Sequence, residues 1–105
     1  MLIVKREDNV VATNESYRIF INKIEMGSIG NNETAKFKLK NGEYEMYLQG
    51  NIFSSKKVHF SMNEGQIVEF ECKPNYKDNF FSKLVCRIFK GGLGISLELK
   101  QDIYL

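Results

Sequence analysis

Residues 17–50, YRIFINKIEMGSIGNNETAKFKLKNGEYEMYLQG, carry the most regular pattern in the chain and decide its class of fold. Apolar and polar residues alternate in this stretch, turn-forming residues interrupt the alternation, and it then resumes. A period of two residues places alternate side chains on opposite faces of a β-strand, and half-buried strands of this kind are typical of antiparallel sheets. The stretch therefore predicts two hairpins that serve as scaffold.

The first predicted hairpin turns at Asn22-Lys23. Tyr17, Ile19 and Ile21 share one face of the strand before the turn, and Gly27 either weakens the strand that follows or marks a bulge in it. The second hairpin is predicted to turn at Asn41-Gly42, because Asn-Gly favours the two-residue type I′ turn, in which both central residues have positive φ.

The register of the second hairpin follows from its two-residue loop. It sorts the apolar side chains of both strands onto one face and places a ladder of opposite charges on the other. In this ladder Lys40 faces Glu43, and Lys38 faces Glu45.

Further alternating segments lie at residues 2–4, 57–62, 66–73 and 95–105. The period changes in FFSKLVCRIFK, residues 80–90, where apolar residues recur at helical spacing, although a buried strand is the rival interpretation. The sequence predicts an all-β fold: a single domain over residues 1–105, mainly an antiparallel β-sandwich of about seven to eight strands, with one short amphipathic helix near 80–90.

Composition narrows the functional class. The chain has 105 residues, 43% of them hydrophobic, and its 15 basic and 13 acidic side chains give a net charge of +2. This balance argues against nucleic acid as a partner. Because no signal peptide or membrane-spanning run is visible, we expect a cytoplasmic protein in which Cys72 and Cys86 are free thiols.

The catalytic candidates do not converge in the sequence. His59 is the single histidine and lies on the polar face of its strand, whereas Cys72 points inward. One histidine and two distant cysteines do not form a metal-ligand pattern. The glycines of GGLG, 91–94, lack the Lys-Ser/Thr of a phosphate loop. We therefore predict no enzyme activity, no catalytic residues, no metal and no cofactor.

Residues 80–90 hold the one surface that could bind a membrane or an anion. Lys83, Arg87 and Lys90 would cluster on one side of the predicted helix, opposite an apolar side that includes Phe80 and Phe81. This is the pattern of an interfacial membrane helix. In the alternative interpretation the apolar side packs on the sandwich and the cations face water.

The stretch 17–50 resembles the PEGA-type β-sandwich repeat. IFINKIEMG matches the first hairpin of that family with its glycine, Gly27, and FKLKNGEYEMYL matches the second, with Gly42 and Tyr44 at the glycine and aromatic positions. The resemblance implies a small non-enzymatic sandwich of the kind found in extracytoplasmic, cell-surface or regulatory proteins.

The leading functional hypothesis is an accessory or interaction module that binds a protein partner, or itself, through a sheet edge. Residues 95–105 are the predicted edge. The alternative hypothesis is a peripheral membrane module that uses residues 80–90.

Overall fold

The structure, a computed structural model, describes residues 1–7, 15–51, 53–75 and 94–105. Its eight elements are all strands, in two four-stranded sheets. The first sheet has the order β4-β1-β7-β8 and the second the order β3-β2-β5-β6. The strands are β1 (Leu2–Arg6), β2 (Tyr17–Ile21), β3 (Ile24–Ile29), β4 (Thr34–Phe37), β5 (Gly42–Gln49), β6 (Val58–Met62), β7 (Gln66–Asn75) and β8 (Gly94–Tyr104). The predicted all-β class is confirmed.

The short helix predicted near 80–90 is not seen, and this part of the prediction is corrected. Every element in the interpretable part of the chain is a strand, and none is a helix. Residues 80–90 themselves lie outside the described residues, as does all of 76–93. Among the described residues no helix is long and apolar enough to cross a membrane.

The first predicted hairpin forms as the sequence indicates. Asn22 and Lys23 have φ values of 51° and 67°, the two positive values that a type I′ turn requires, and they join β2 to β3. Ile19 pairs with Gly27 and Phe20 pairs with Glu25, so Met26 is the extra residue of a β-bulge.

The second predicted hairpin is wrong. Asn41 does not have positive φ, and the chain passes between the two sheets at this point. Residues 34–37 pair with β1, with Leu2 opposite Phe37, whereas β5 lies between β2 and β6. The inner faces of both sheets contribute to the same core, so a crossing between sheets buries the same alternating residues that a hairpin would.

The first sheet is mixed. β1 lies between β4 and β7 and runs parallel to β7, from Leu2 opposite Val68 to Arg6 opposite Cys72. All other strand pairs are antiparallel. The long β7–β8 ladder contains a second bulge, because Phe70 pairs with Leu99 and Glu69 pairs with Gln101.

The core lies between the two sheets, as expected for a β-sandwich. The Phe60 ring of β6 contacts the Phe70 ring of β7, with centroids 5.6 Å apart. The buried hydrophobic residues are Leu2, Val4, Tyr17, Ile19, Ile21, Ile29, Met46, Leu48, Phe53, Phe60, Met62, Val68, Phe70, Cys72, Ile95 and Leu97.

A buried arginine joins the sheets at the end of β1. The guanidinium of Arg6 lies 3.9 Å from the centroid of the Tyr17 ring, in a cation–π contact. It donates a hydrogen bond to the Ile29 carbonyl at 3.2 Å and another to the Glu15 carbonyl. These bonds fix the ends of β2 and β3 to the first sheet.

β8 begins at a glycine that no other residue can replace without strain. Gly94 has φ +93°, and a Cβ built on it would lie 2.2 Å from Cγ of the buried Phe53. The Phe53 ring therefore packs directly on the backbone at the start of β8.

Candidate functional site

β8 is the edge strand that the sequence predicted for residues 95–105. Within the described part of the chain β7 is its only neighbouring strand, and a single parallel bridge joins its first residue, Gly94, to Ser54. Its first residues, including Ile95 and Leu97, are buried, but every residue from Glu98 to Leu105 is exposed. Leu99 is 54% exposed, and Tyr104 is 63% exposed. The second half of this edge strand therefore exposes Leu99, Ile103 and Tyr104 among charged and polar residues.

The bulge in β8 divides its apolar residues between the two faces of the sheet. The sequence predicted that Leu97, Leu99 and Ile103 share one face. Lys100 is the unpaired residue of the bulge, so the alternation shifts by one residue there. Leu99 stays on the inner side opposite Phe70, whereas Ile103 lies on the outer side opposite Ile67.

An open groove lies between β8 and β6, which is the corresponding edge of the second sheet. Its volume is about 530 Å³. Phe60 and Val68 are buried apolar residues that reach its floor, together with Phe70, and Leu99 lies on the β8 wall. The groove thus combines an apolar floor with two strand edges whose outer sides pair with no other strand among the described residues.

Charge is distributed unevenly along the groove. Asp102 lies opposite Val68, near the turn that leads from β6 into β7, whereas Lys56 and Lys57 precede β6 and lie towards the other end. The Asp102 carboxylate accepts a hydrogen bond from Gln66 Nε2 at 2.6 Å. One end of the groove is therefore basic and the other is acidic.

Lys56 and Lys57 differ in whether a carboxylate lies close enough to neutralise their charge. Lys57 Nζ lies 3.8 Å from Glu45 Oε1, and His59 Nε2 lies 3.7 Å from the other oxygen of the same carboxylate. Lys56 is exposed and forms no ion pair with the residues that the structure describes. Among the described residues that line the groove, Lys56 is thus the lysine without an acidic partner.

The catalytic candidates stay apart. His59 is exposed on the outer face of the second sheet, whereas Cys72 is buried in the first sheet. Burial raises the pKa of the Cys72 thiol from 9.0 to about 12, with nearby Arg6 opposing and Glu71 adding to the shift. The described residues hold no group of three or more His, Cys, Asp or Glu side chains that could bind a metal ion.

Glu45 and Glu69 take part in scaffold contacts. Glu45 interacts with Lys57 and His59 instead of Lys38, because the predicted hairpin does not form. Glu69 lies 3.5 Å from Lys5 Nζ, across the parallel β1–β7 pair.

The residues predicted to bind a membrane or an anion are Phe80, Phe81, Lys83, Arg87 and Lys90. All of them lie outside the described residues, so the membrane hypothesis stays a prediction.

A stacked aromatic pair on the outer face of the second sheet is a weaker candidate. The rings of Phe20 and Tyr47 are 4.9 Å apart and nearly parallel, since the two residues are direct partners in neighbouring strands. Lys57 Nζ lies 6.0 Å from the Tyr47 ring, and the Arg18 guanidinium lies 5.7 Å from the Phe20 ring. Each ring has one face against its partner and a cation close by, so the pair does not offer the bare faces of a stacking platform.

The groove itself was not recognised in the sequence. Phe60 and Phe70 lie in the alternating segments 57–62 and 66–73, and both are buried. No local signal shows that they meet beneath an open edge, because this depends on the order of the strands.

Comparison with protein-family models, with curated proteins and with solved structures found no match to this chain.

Proposed function

We propose that this chain is a non-enzymatic, cytoplasmic interaction module that binds an extended segment of a partner protein along the β8 edge. The bound segment would add a strand beside β8 and place alternate side chains in the groove. A PEGA-type relationship, suggested by the resemblance of residues 17–50, is part of the same proposal and implies the same non-enzymatic class.

The observation that supports this proposal is the exposed second half of β8. An edge strand presents unpaired backbone donors and acceptors, and proteins commonly shield such edges with charges or short strands. β4, at the opposite edge of the same sheet, spans only Thr34–Phe37. By contrast, β8 extends over 11 residues and exposes Leu99, Ile103 and Tyr104.

Selection from a displayed library of random peptides of about ten residues, with the full chain as the target, tests the proposal. Selected peptides should lose about ten-fold or more in affinity for Leu99→Gln, because the contact of one buried leucine is worth about 1.5–3 kcal/mol. Ile24→Gln is the matched control, since Ile24 is equally apolar, is 63% exposed and lies on the distant strand β3.

Hydrogen exchange gives a second readout. A peptide that pairs with β8 should slow exchange at amides of β8 and leave those of β3 unchanged. Failure to enrich any peptide, or peptides that bind Leu99→Gln as tightly as the unmodified chain, would refute strand addition at this edge. A dimer that dissociates on Leu99→Gln would make a second copy of the chain the occupant, contrary to this proposal.

A further inference from the structure

We infer that the segment bound beside β8 is an acidic–apolar strand, with apolar side chains at every second position and a carboxylate that meets Lys56. This inference rests on the proposed function and specifies the chemistry of the partner.

The apolar positions follow from the groove floor. Phe60, Phe70 and Leu99 supply apolar surface along the middle of the groove. Side chains two residues apart on an added strand point to the same side, about 6.6 Å apart. A segment with two or three alternating apolar residues would cover this floor, whereas a uniformly polar segment would leave it in contact with water.

The carboxylate expected on the partner segment is inferred from the charges at the basic end of the groove, around Lys56 and Lys57. The only carboxylate that neutralises this end among the described residues is Glu45, and it is already shared by Lys57 and His59. Lys56 is left without an acidic partner among those residues. An Asp or Glu of the partner strand can reach Lys56 without displacing an existing ion pair.

The acidic end of the groove, at Asp102, limits where the partner segment can carry its carboxylates. Asp102 lies on the β8 wall beyond Leu99, and its carboxylate is oriented by Gln66. Lys57 and Ser61, near the two ends of the groove, are four residues apart in an extended strand, or about 13 Å. A second carboxylate on the partner at that distance would face Asp102 and be repelled, so acidic residues should be confined to one end of the bound segment.

Charge reversal in the full chain tests the inference. Peptides selected by the unmodified chain should carry Asp or Glu at one end and bind Lys56→Glu about five-fold or more weakly at low salt, with the difference shrinking as salt is added. Lys36→Glu is the matched control, because Lys36 is an exposed lysine on β4, at the other edge of the first sheet. It should leave binding unchanged.

The outcomes separate this inference from the proposed function. Peptides that depend on Leu99 but show no acidic preference, or that bind Lys56→Glu as well as the unmodified chain, would overturn the acidic partner and leave strand addition intact. Absence of any peptide that depends on Leu99 would remove both.

Discussion

The contact between Gly94 and Phe53 leads to the sharpest stability prediction. Gly94→Ala adds one methyl group at φ +93°, a backbone conformation that costs a residue with a Cβ about 1–2 kcal/mol. The same methyl would lie 2.2 Å from Phe53 Cγ and 2.4 Å from Phe53 Cβ. Neither distance is tolerable, so the buried ring must move.

The cost of moving that ring adds to the conformational cost. Forcing an extra methyl group into a packed core costs about 1–3 kcal/mol. Gly94→Ala should therefore lower the free energy of unfolding by about 2–5 kcal/mol, a large part of the ~5–15 kcal/mol typical of a domain. For a chain of this size, each kcal/mol lowers Tm by about 4–8 °C.

Gly65→Ala is the matched control for the backbone cost. Gly65 has φ +77°, and its nearest neighbour, the Leu105 carbonyl oxygen, would lie 3.5 Å from an added Cβ, an ordinary contact. This variant should cost only about 1–2 kcal/mol.

Urea unfolding of the single variants and of Gly94→Ala combined with Phe53→Ala measures both contributions. In the Phe53→Ala background the contacts with the ring are gone and only the Cβ contact at 2.4 Å remains, so Gly94→Ala should cost clearly less than it does in the unmodified chain. The reasoning is refuted if Gly94→Ala costs the same with and without the Phe53 ring.

Four further predictions concern other parts of the sandwich. Lys23→Gly should raise the free energy of unfolding by about 0.5–1 kcal/mol in urea titrations, because glycine tolerates φ 67°, whereas Lys23→Ala should change it little. In Cys86→Ser, Cys72 is the only thiol and should react with a thiol reagent only when the chain is denatured. Since the pKa of Cys72 is about 12 when folded and 9.0 when unfolded, the unfolded state loses its proton first as pH rises. Stability should then fall between about pH 9 and 12 by up to ~1.4 kcal/mol per pH unit, and Cys72→Val should remove that part of the dependence. A double-mutant cycle with Phe20→Ala and Tyr47→Ala should give a coupling of about 0.5–1.5 kcal/mol, and additive effects would show that the stack contributes nothing beyond burial.

Local sequence patterns predicted the strands and most of the core correctly. The alternation in Tyr17–Ile21 identified the buried face of β2. The turn predicted at Asn22-Lys23 forms between β2 and β3. These features depend on neighbouring residues, so the sequence contains them directly.

Which strands pair with each other was not predictable in the same way. Asn41-Gly42 carries the strongest hairpin signal in the chain, yet the strands on either side of it belong to different sheets. A hairpin and a crossing bury the same residues, so alternation cannot distinguish them. The sequence also carries no signal for the bulge at Lys100, although this bulge decides which face of the sheet Ile103 occupies.

The candidate groove depends on this pairing and was therefore missed. Phe60 and Phe70 are distant enough in sequence that only the packing of one sheet on the other brings them together. The edge position of β8 was predicted from its alternation, but the open groove beside it follows from the position of β6.

The parallel pair of β1 and β7 has a consequence for the order of folding. All four strands of the second sheet lie between residues 17 and 62, interrupted only by β4 among the described strands, whereas the first sheet must gather four segments that span Leu2 to Tyr104. Closing such long loops has an entropic cost that precedes any gain from the contacts made, so domains rich in distant contacts fold in about milliseconds to seconds. During synthesis β1 leaves the ribosome before β7, so β1 stays without its parallel neighbour until the later strand has been made.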